Sequence, residues 1–587
     1  MMLTSSAVQL TTAALLLGLA GVTAAPGLTG STNSRPPPNF LFIIADDQDL
    51  LLDSLEYQPL LKKHVTDKGT RFDKHYCTIA ICCPSRVSML TGRAAHNTNV
   101  TDVSAPYGGY GKFISEGWNE NYLPVWLQDA GYDTYYTGKL MNGLSTSTYN
   151  KPFPKGWNRT DFFLDPNTYI YNNVTVGKDE GPYKTYTGEY STDLALSRGL
   201  DYLDAAIPRA AEGRPFFIGV APIAPHSETI AGRFNPAVPA ERHKNLFPDD
   251  KVPRRANFNP DRASGAGWIA TLDQFNATAV DYLDEFHRLR IRSLQAVDEL
   301  VEALVTRLEQ SGAPAEVVDN TYIIYTTDNG YHIGQHRLAP GKTCAIEEDI
   351  NIPFIVRGPG VAAGQTVAFP TSHTDLVPTI FELAGIPLQE GFDGVPIPVT
   401  VEQQLALEHK AEHVNVEFWG KGILEGDIPS TGPGVINGSP PDNTYKSLRI
   451  VADEYDLSYT VWCTNEHELY DMKTDPVQLN NIYNTTSPIY GYPPAKLIAR
   501  VDALLLTLKD CKGVSCRLPW QTLHPAGDVR TLADALDPKF DDFYISGQKK
   551  VSFSACVPGY VLEYEGAVGA TPYGGGLADQ ARWEDWT

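Results

Sequence analysis

The chain reads as an α/β protein: a large, doubly wound, mostly parallel sheet followed by a smaller C-terminal α+β domain containing an antiparallel sheet. Three observations predict this. Apolar runs rich in β-branched and aromatic residues, such as "NFLFIIA" at 39–45, have the composition of strands buried on both faces. These runs alternate with segments of helical periodicity, the pattern of a doubly wound sheet. Past residue 440 the text changes to short strands and turns, as in "YKSLRIVADEYDLSYTVW" and "ELYDMKTDPVQLNN", which suit antiparallel pairing.

The 587 residues suffice for one large domain and a smaller one. Residues 1–24 carry an uncharged apolar stretch ending in small residues, with Val22-Thr23-Ala24 at a cleavage-like site, and read as a secretory signal peptide. The apolar core is shorter than the ~20 residues a membrane span needs, and no later stretch is long enough. A Gly/Ser/Pro-rich linker at 25–38 leads into a catalytic domain at 39–435, and the smaller domain takes 436–587. A secreted, extracellular protein is expected, with the vacuole or cell wall as further destinations. Six sequons, at Asn99, Asn158, Asn173, Asn276, Asn437 and Asn484, suit glycosylated loops.

Asp plus Glu outnumber Lys plus Arg by 70 to 47, a formal charge of -23. That balance argues against nucleic acid or an anionic membrane as a partner. An anionic substrate would need a local cluster of positive charge. The even count of eight cysteines suggests pairing in an oxidising compartment, with Cys511 and Cys516 able to close a small loop.

Four predicted strands in the large domain are followed by residues of chemical interest. "NFLFIIADDQD" places Asp46 and Asp47 after the first; "GYDTYYTGK" places Lys139, "RPFFIGVAPIAPHSE" His226, and "NTYIIYTTDNGYH" Asp328 and Asn329. Ligands of open α/β sheets bind beyond the carboxyl ends of the strands, so these positions should converge. Between the last two of these strands, Leu294, Val297, Val301, Leu304, Val305 and Leu308 recur at helical spacing until Gly312. Three carboxylates and an amide form an all-oxygen set, which favours Ca²⁺ over Mg²⁺ and both over Zn²⁺.

The stretch "CCPSRVSMLTGR" at 82–93 opens a helix, with Pro84 suited to its first position. Helix N-terminal N–H groups, Arg86, Lys139, Lys342 and His226 together would form a cationic pocket for a small oxyanion. Cys82 by itself is open to several readings: disulfide half, metal ligand, nucleophile or modified residue.

That stretch resembles the sulfatase signature, a cysteine, a variable residue, then P-S-R and later T-G-R. The blocks "ADDQD", "YTGKLMNG", "APIAPH", "TTDNGYHIGQ", "GKTCAIEEDINIPFIVRGPG", "SHTDLVPTIFELAG" and "ELYDMKTDP" resemble family blocks in family order. The combination is most similar to fungal arylsulfatases and N-acetylglucosamine-6-sulfatases. The resemblance implies an alkaline-phosphatase-like fold and hydrolysis of sulfate monoesters, aryl sulfates or sulfated N-acetylglucosamine. It implies that Cys82 is converted to formylglycine by a formylglycine-generating enzyme and that its hydrate attacks sulfur. It further implies Ca²⁺ held by Asp46, Asp47, Asp328, Asn329 and residue 82. Arg86, Lys139, His226 and Lys342 would then contact sulfate and move protons. Conversion explains why cysteine cannot remain: a sulfated serine would be a dead end, whereas a sulfated geminal diol expels sulfate when its second hydroxyl loses a proton.

One departure stands out. Many sulfatases have a histidine after the first lysine, in "GKWH", where this chain has "GKLMN". Asn142 or a residue from elsewhere must fill that place, and His332 is the candidate base for the elimination step. His96 and His373 read as structural or rim histidines, Glu347 and Glu348 either as partners that orient Lys342 or as a solvated face, and Cys344 has no assigned role. Conversion of Cys82 leaves an odd number of thiols, with Cys83 the expected unpaired one. Two other functions fit the same text: a phosphodiesterase or phosphonate monoester hydrolase, and a non-catalytic sulfated-glycan-binding protein.

Overall fold

The first strand, β1 (Asn39–Ala45), is buried on both faces, and its side chains alternate between two cores. Phe40, Phe42 and Ile44 enter one; Leu41, Ile43 and Ala45 enter the other. The structure is a computed structural model and describes residues 36–407, 411–428 and 441–574. The expected signal peptide, nearly all of the linker and Asn437 lie outside the described residues.

Nine more strands complete the main sheet: β2 (Thr70–Phe72), β3 (Asp133–Gly138), β4 (Arg159–Phe163), β5 (Asn173–Lys178), β6 (Tyr183–Thr187), β7 (Phe216–Ala221), β8 (Thr321–Thr327), β9 (Phe354–Arg357) and β10 (Gln365–Val367). Their order is β10-β2-β9-β8-β1-β7-β3-β4-β5-β6, with β5 and β9 running against the rest. The central strands are parallel. β1 pairs with β8 from Asn39↔Thr321 to Ala45↔Thr327 and with β7 on its other side, and β3 continues from β7. The sheet is thus mixed at its edges and parallel at its centre, where the site lies.

Helices cover both faces. The cysteine stretch forms α1 (Cys82–Thr91), which packs with α4 (Leu376–Ala384) on the Phe42 side. α2 (Ser191–Ala211) and the long α3 (Ala277–Glu309) pack on the Leu41 side through Leu203, Leu294, Val297, Val301 and Leu304. The periodic residues read as a helix therefore face the sheet. α1 starts at Cys82 itself, so Pro84 falls two residues later than expected. It still sits in the first turn, where its missing N–H leaves no bond unmade.

The second sheet is antiparallel, with the order β11 (His413–Phe418), β12 (Tyr445–Val451), β13 (Asp456–Trp462) and β14 (His467–Asp471). α5 (Pro494–Leu508) covers it through Leu497, Val501, Leu504 and Leu505. The expected boundary at 435/436 is corrected: it falls between the first two strands of one sheet. The alternating "HVNVEF" of β11 lies before a Gly/Pro-rich stretch that reads as a linker. Residues Pro37–Thr587 form one compact unit.

Cys463 pairs with Cys556 and Cys511 with Cys516. Cys77, Cys82, Cys83 and Cys344 are buried and unpaired, so the unpaired set is larger than Cys83 alone. Among the described residues, no helix is long and apolar enough to cross a membrane.

Candidate active site

Register brings the strand ends together. Because Ala45 pairs with Thr327, the next residues, Asp46 and Asp328, emerge side by side. Asp47 takes a left-handed backbone conformation, φ 64°, which a short polar side chain tolerates. Its N–H donates to Asp328 Oδ1 at 3.0 Å, and the Asn329 N–H donates to the same oxygen at 3.0 Å. Lys139 follows β3, whose Gly138 pairs with Ala221 of β7, and His226 lies beyond β7.

Around Cys82 these groups form one buried ionic cluster. Cys82 Sγ lies 3.3 Å from Lys342 Nζ and 3.8 Å from an oxygen of each of Asp46 and Asp47. Lys139 Nζ donates to both oxygens of Asp46 at 2.7 Å, and Lys342 Nζ donates to Asp47 at 2.6 Å. Arg86 Nε donates to Asp328 Oδ2 at 2.8 Å, and its Nη1 donates to the Lys139 carbonyl. His226 Nε2 stands 3.5 Å from Asp47, while its Nδ1–H donates to the Ser227 carbonyl at 2.7 Å. Three carboxylates thus face three fixed cations.

Burial decides the protonation states. It pushes the Cys82 thiol well up, so an unmodified cysteine here is a thiol and a weak nucleophile. It pushes His226 down to about 4, which leaves Nε2 a neutral acceptor. Against the same burial, Asp47 holds the Lys342 ammonium well above its ordinary value. Arg86, Lys139 and Lys342 likewise hold Asp328 well below the carboxylate range despite its burial. Asp46 is raised, by burial and by Asp328.

Potential metal-ligand atoms gather at Cys82, carboxylate oxygens beside a sulfur and an imidazole nitrogen. One ligand atom each from Asp46, Asp47, Cys82 and His226 lies within 4.8 Å of the others. Asn329 Oδ1 is buried and bonds nothing, an acceptor left over beside the carboxylates.

Several supports come from loops, and one, Arg290, from α3, with no signal in the sequence. Tyr169 stacks on the His226 ring, and the Tyr171 hydroxyl donates to the His226 carbonyl at 2.7 Å. Glu425 accepts from Tyr331 at 2.6 Å and from Ser227, with its other oxygen 3.9 Å from Lys342. Arg290 donates to the carbonyls of Asp47 and Pro225. These take the place assigned to Glu347 and Glu348: Glu347 pairs with Arg449, and Glu348 accepts from Asn257 at 2.7 Å, so neither carboxylate pairs with Lys342. His332 Nδ1 meets Asp349 at 2.7 Å, and Asp349 also accepts the Cys344 N–H. His373 is buried against Ser85 Oγ at 2.9 Å, and His96 is bound to Glu417, so both are interior rather than rim residues. Of the described sequon asparagines, Asn158, Asn276 and Asn484 are exposed, and Asn99 and Asn173 are half-buried.

The sulfatase family model matches residues 38–386. The chain is 48% identical to sulfatase ppz1 of Metarhizium majus over 70% of its length and 87% of that protein's. It is 37% identical to an arylsulfatase of Volvox carteri, covering 94% of this chain and 85% of the other. A solved structure of BT4656 in complex with its substrate D-glucosamine-2-N,6-O-disulfate shares the fold, with TM-score 0.60, 21% identity and coverage of 76% of this chain and 94% of that one. The chain belongs to the sulfatase family. Its class of activity is the hydrolysis of sulfuric esters.

Proposed function

We propose that the chain hydrolyses sulfate monoesters, aryl sulfates or sulfated N-acetylglucosamine, at residue 82, with Cys82 converted to formylglycine and Ca²⁺ held by Asp46, Asp47, Asp328 and Asn329. One observation carries the reading: Cys82 opens a buried helix in contact with both aspartates and Lys342, in surroundings where its own thiol stays protonated. The formylglycine hydrate supplies a hydroxyl nucleophile, and the cation supplies charge to lower that hydroxyl's pKa. Carboxylates and an amide in one set favour Ca²⁺ over Mg²⁺.

The chain's own side chains divide the remaining work. Lys139, Lys342 and the N-terminal N–H groups of α1 hold the sulfuryl oxygens. Lys342, kept charged by Asp47, gives its proton to the departing alcohol oxygen. His226, neutral and within the same cluster, takes the proton at residue 82 that drives sulfate release; His332, whose Nδ1 is held by Asp349 and whose buried Nε2 bonds nothing, is the second candidate base. Arg86 fixes Asp328 and the Lys139 backbone. The two disulfides and the exposed sequons support secretion, and a formylglycine-generating enzyme is the partner that maturation requires.

Mass spectrometry of the tryptic peptide bearing Cys82 tests this. Formylglycine is expected; an alkylatable thiol in active enzyme overturns the mechanism. Turnover of p-nitrophenyl sulfate should exceed that of bis-p-nitrophenyl phosphate, and the reverse order would make the chain a phosphodiesterase.

A further inference from the structure

Lys139 is followed by "LMN", and the space beside its ammonium is filled from another loop. Tyr169 lies between β4 and β5 and is only 9% exposed. Its ring stacks on the His226 imidazole with centroids 4.2 Å apart and planes at 24°, and its centroid lies 4.8 Å from Lys139 Nζ. Its hydroxyl accepts from Asn142 Nδ2 at 2.7 Å. That bond uses a lone pair and leaves the phenolic proton to be given elsewhere. Burial, reinforced by the negative charge of Asp46, pushes the phenol well above its ordinary value, so it stays a donor.

We propose that Tyr169, oriented by Asn142, is a substrate-contacting residue whose hydroxyl donates a hydrogen bond to a sulfuryl oxygen of the bound ester. The proposal rests on the reading of residue 82 as the site of sulfate ester hydrolysis. A sulfuryl group presents several oxygens, and the cluster already sets three cations against three carboxylates. A neutral phenol adds a donor without disturbing that balance. The side chains of Tyr169 and Asn142 thus do together, from two loops, what a histidine after the lysine would do alone.

Tyr169→Phe keeps the stack on His226 and the contact with Lys139 and removes only the hydroxyl. The measurements are kcat/KM for p-nitrophenyl sulfate, calorimetric affinity for inorganic sulfate, and Tm, for wild type, Y169F, N142L and the double variant. Y169F should lower kcat/KM about 10- to 100-fold, the worth of one hydrogen bond to a charged group, weaken sulfate binding and leave Tm unchanged. N142L should cost less, and the double variant should be no worse than Y169F, because the two act as one unit. Unchanged kcat/KM and sulfate affinity in Y169F would overturn the proposal. Losses that add and follow a fall in Tm would reduce Tyr169 to packing and overturn it as well. If the sulfatase reading itself failed, wild type would not turn over the ester, and the sulfate titration would still decide whether the hydroxyl contacts the anion.

Discussion

Two buried clusters of charge differ in how completely they are paired. Around Cys82, Asn329 Oδ1, Arg86 Nη2 and Glu425 Oε1 have no hydrogen-bond partner. Where β11 meets the segment after α1, Glu417 accepts from His96 Nδ1 at 2.8 Å, from the His96 N–H at 2.9 Å and from Lys446 Nζ at 2.6 Å. Lys446 also donates to the Lys509 carbonyl at 3.1 Å, and His96 Nε2 donates to the Cys511 carbonyl at 2.7 Å. Burying charge costs several kcal/mol per ion unless partners replace the lost water. The Glu417 cluster meets that demand internally and serves the fold. The Cys82 cluster meets it only in part, and the leftover atoms, two acceptors and a donor, are free to meet a bound group.

Substitutions should separate the two. Cys82→Ala is expected to lower turnover of p-nitrophenyl sulfate by about 10⁴-fold or more, as removal of a nucleophile does, with little change in Tm. Chelation with EDTA should abolish activity and lower Tm, with Ca²⁺ restoring both more fully than Mg²⁺; indifference to EDTA would remove the cation from the site. Asn329→Ala should cost about 100-fold in turnover but no more than about 2 kcal/mol of stability by denaturant unfolding, the worth of the two bonds its Nδ2 donates to Asp47 and the Gly330 carbonyl. Glu417→Ala should do the opposite, losing about 3–5 kcal/mol of stability with kcat per folded molecule unchanged. A matching loss of kcat would erase the distinction.

The smallest effect is on pH dependence. Burial opposes ionisation, yet His96 and Lys446 hold the Glu417 carboxyl down at about 2 against an ordinary 4.5. Its stabilisation is complete above pH 4.5 and lost as pH falls toward 2. Against its own burial, His96 is raised above 6.5 by Glu417, so its stabilisation is complete below pH 6.5 and lost as pH rises through the raised value. The cluster should contribute most between pH 4.5 and 6.5. Unfolding free energies of wild type and Glu417→Gln should differ most in that window, and a constant difference across pH would refute it.

The convergence of the strand-end residues was legible because one physical rule, binding beyond the carboxyl ends of parallel strands, maps local text onto shared space. Asp46, Asp47, Lys139, His226, Asp328 and Asn329 all obey it. Tyr169, Glu425 and Arg290 do not follow strand ends; long-range packing delivers them, and no local pattern marks them. The same reason hid the Cys463–Cys556 pair, separated by 93 residues, and the start of the second sheet at β11. Glu347 and Glu348 misled because nearness in sequence to Lys342 stood in for direction.

The burial of α1 also sets an order in time. All ten of its residues are buried, Cys82 included, so no enzyme can reach that thiol once the chain has closed around it. On the proposed conversion of Cys82, the modifying enzyme must therefore act before β1 and β8 bring their aspartates together. A molecule that folds before that step carries a correct fold around an unconverted thiol, and only reopening of α1 would expose it again.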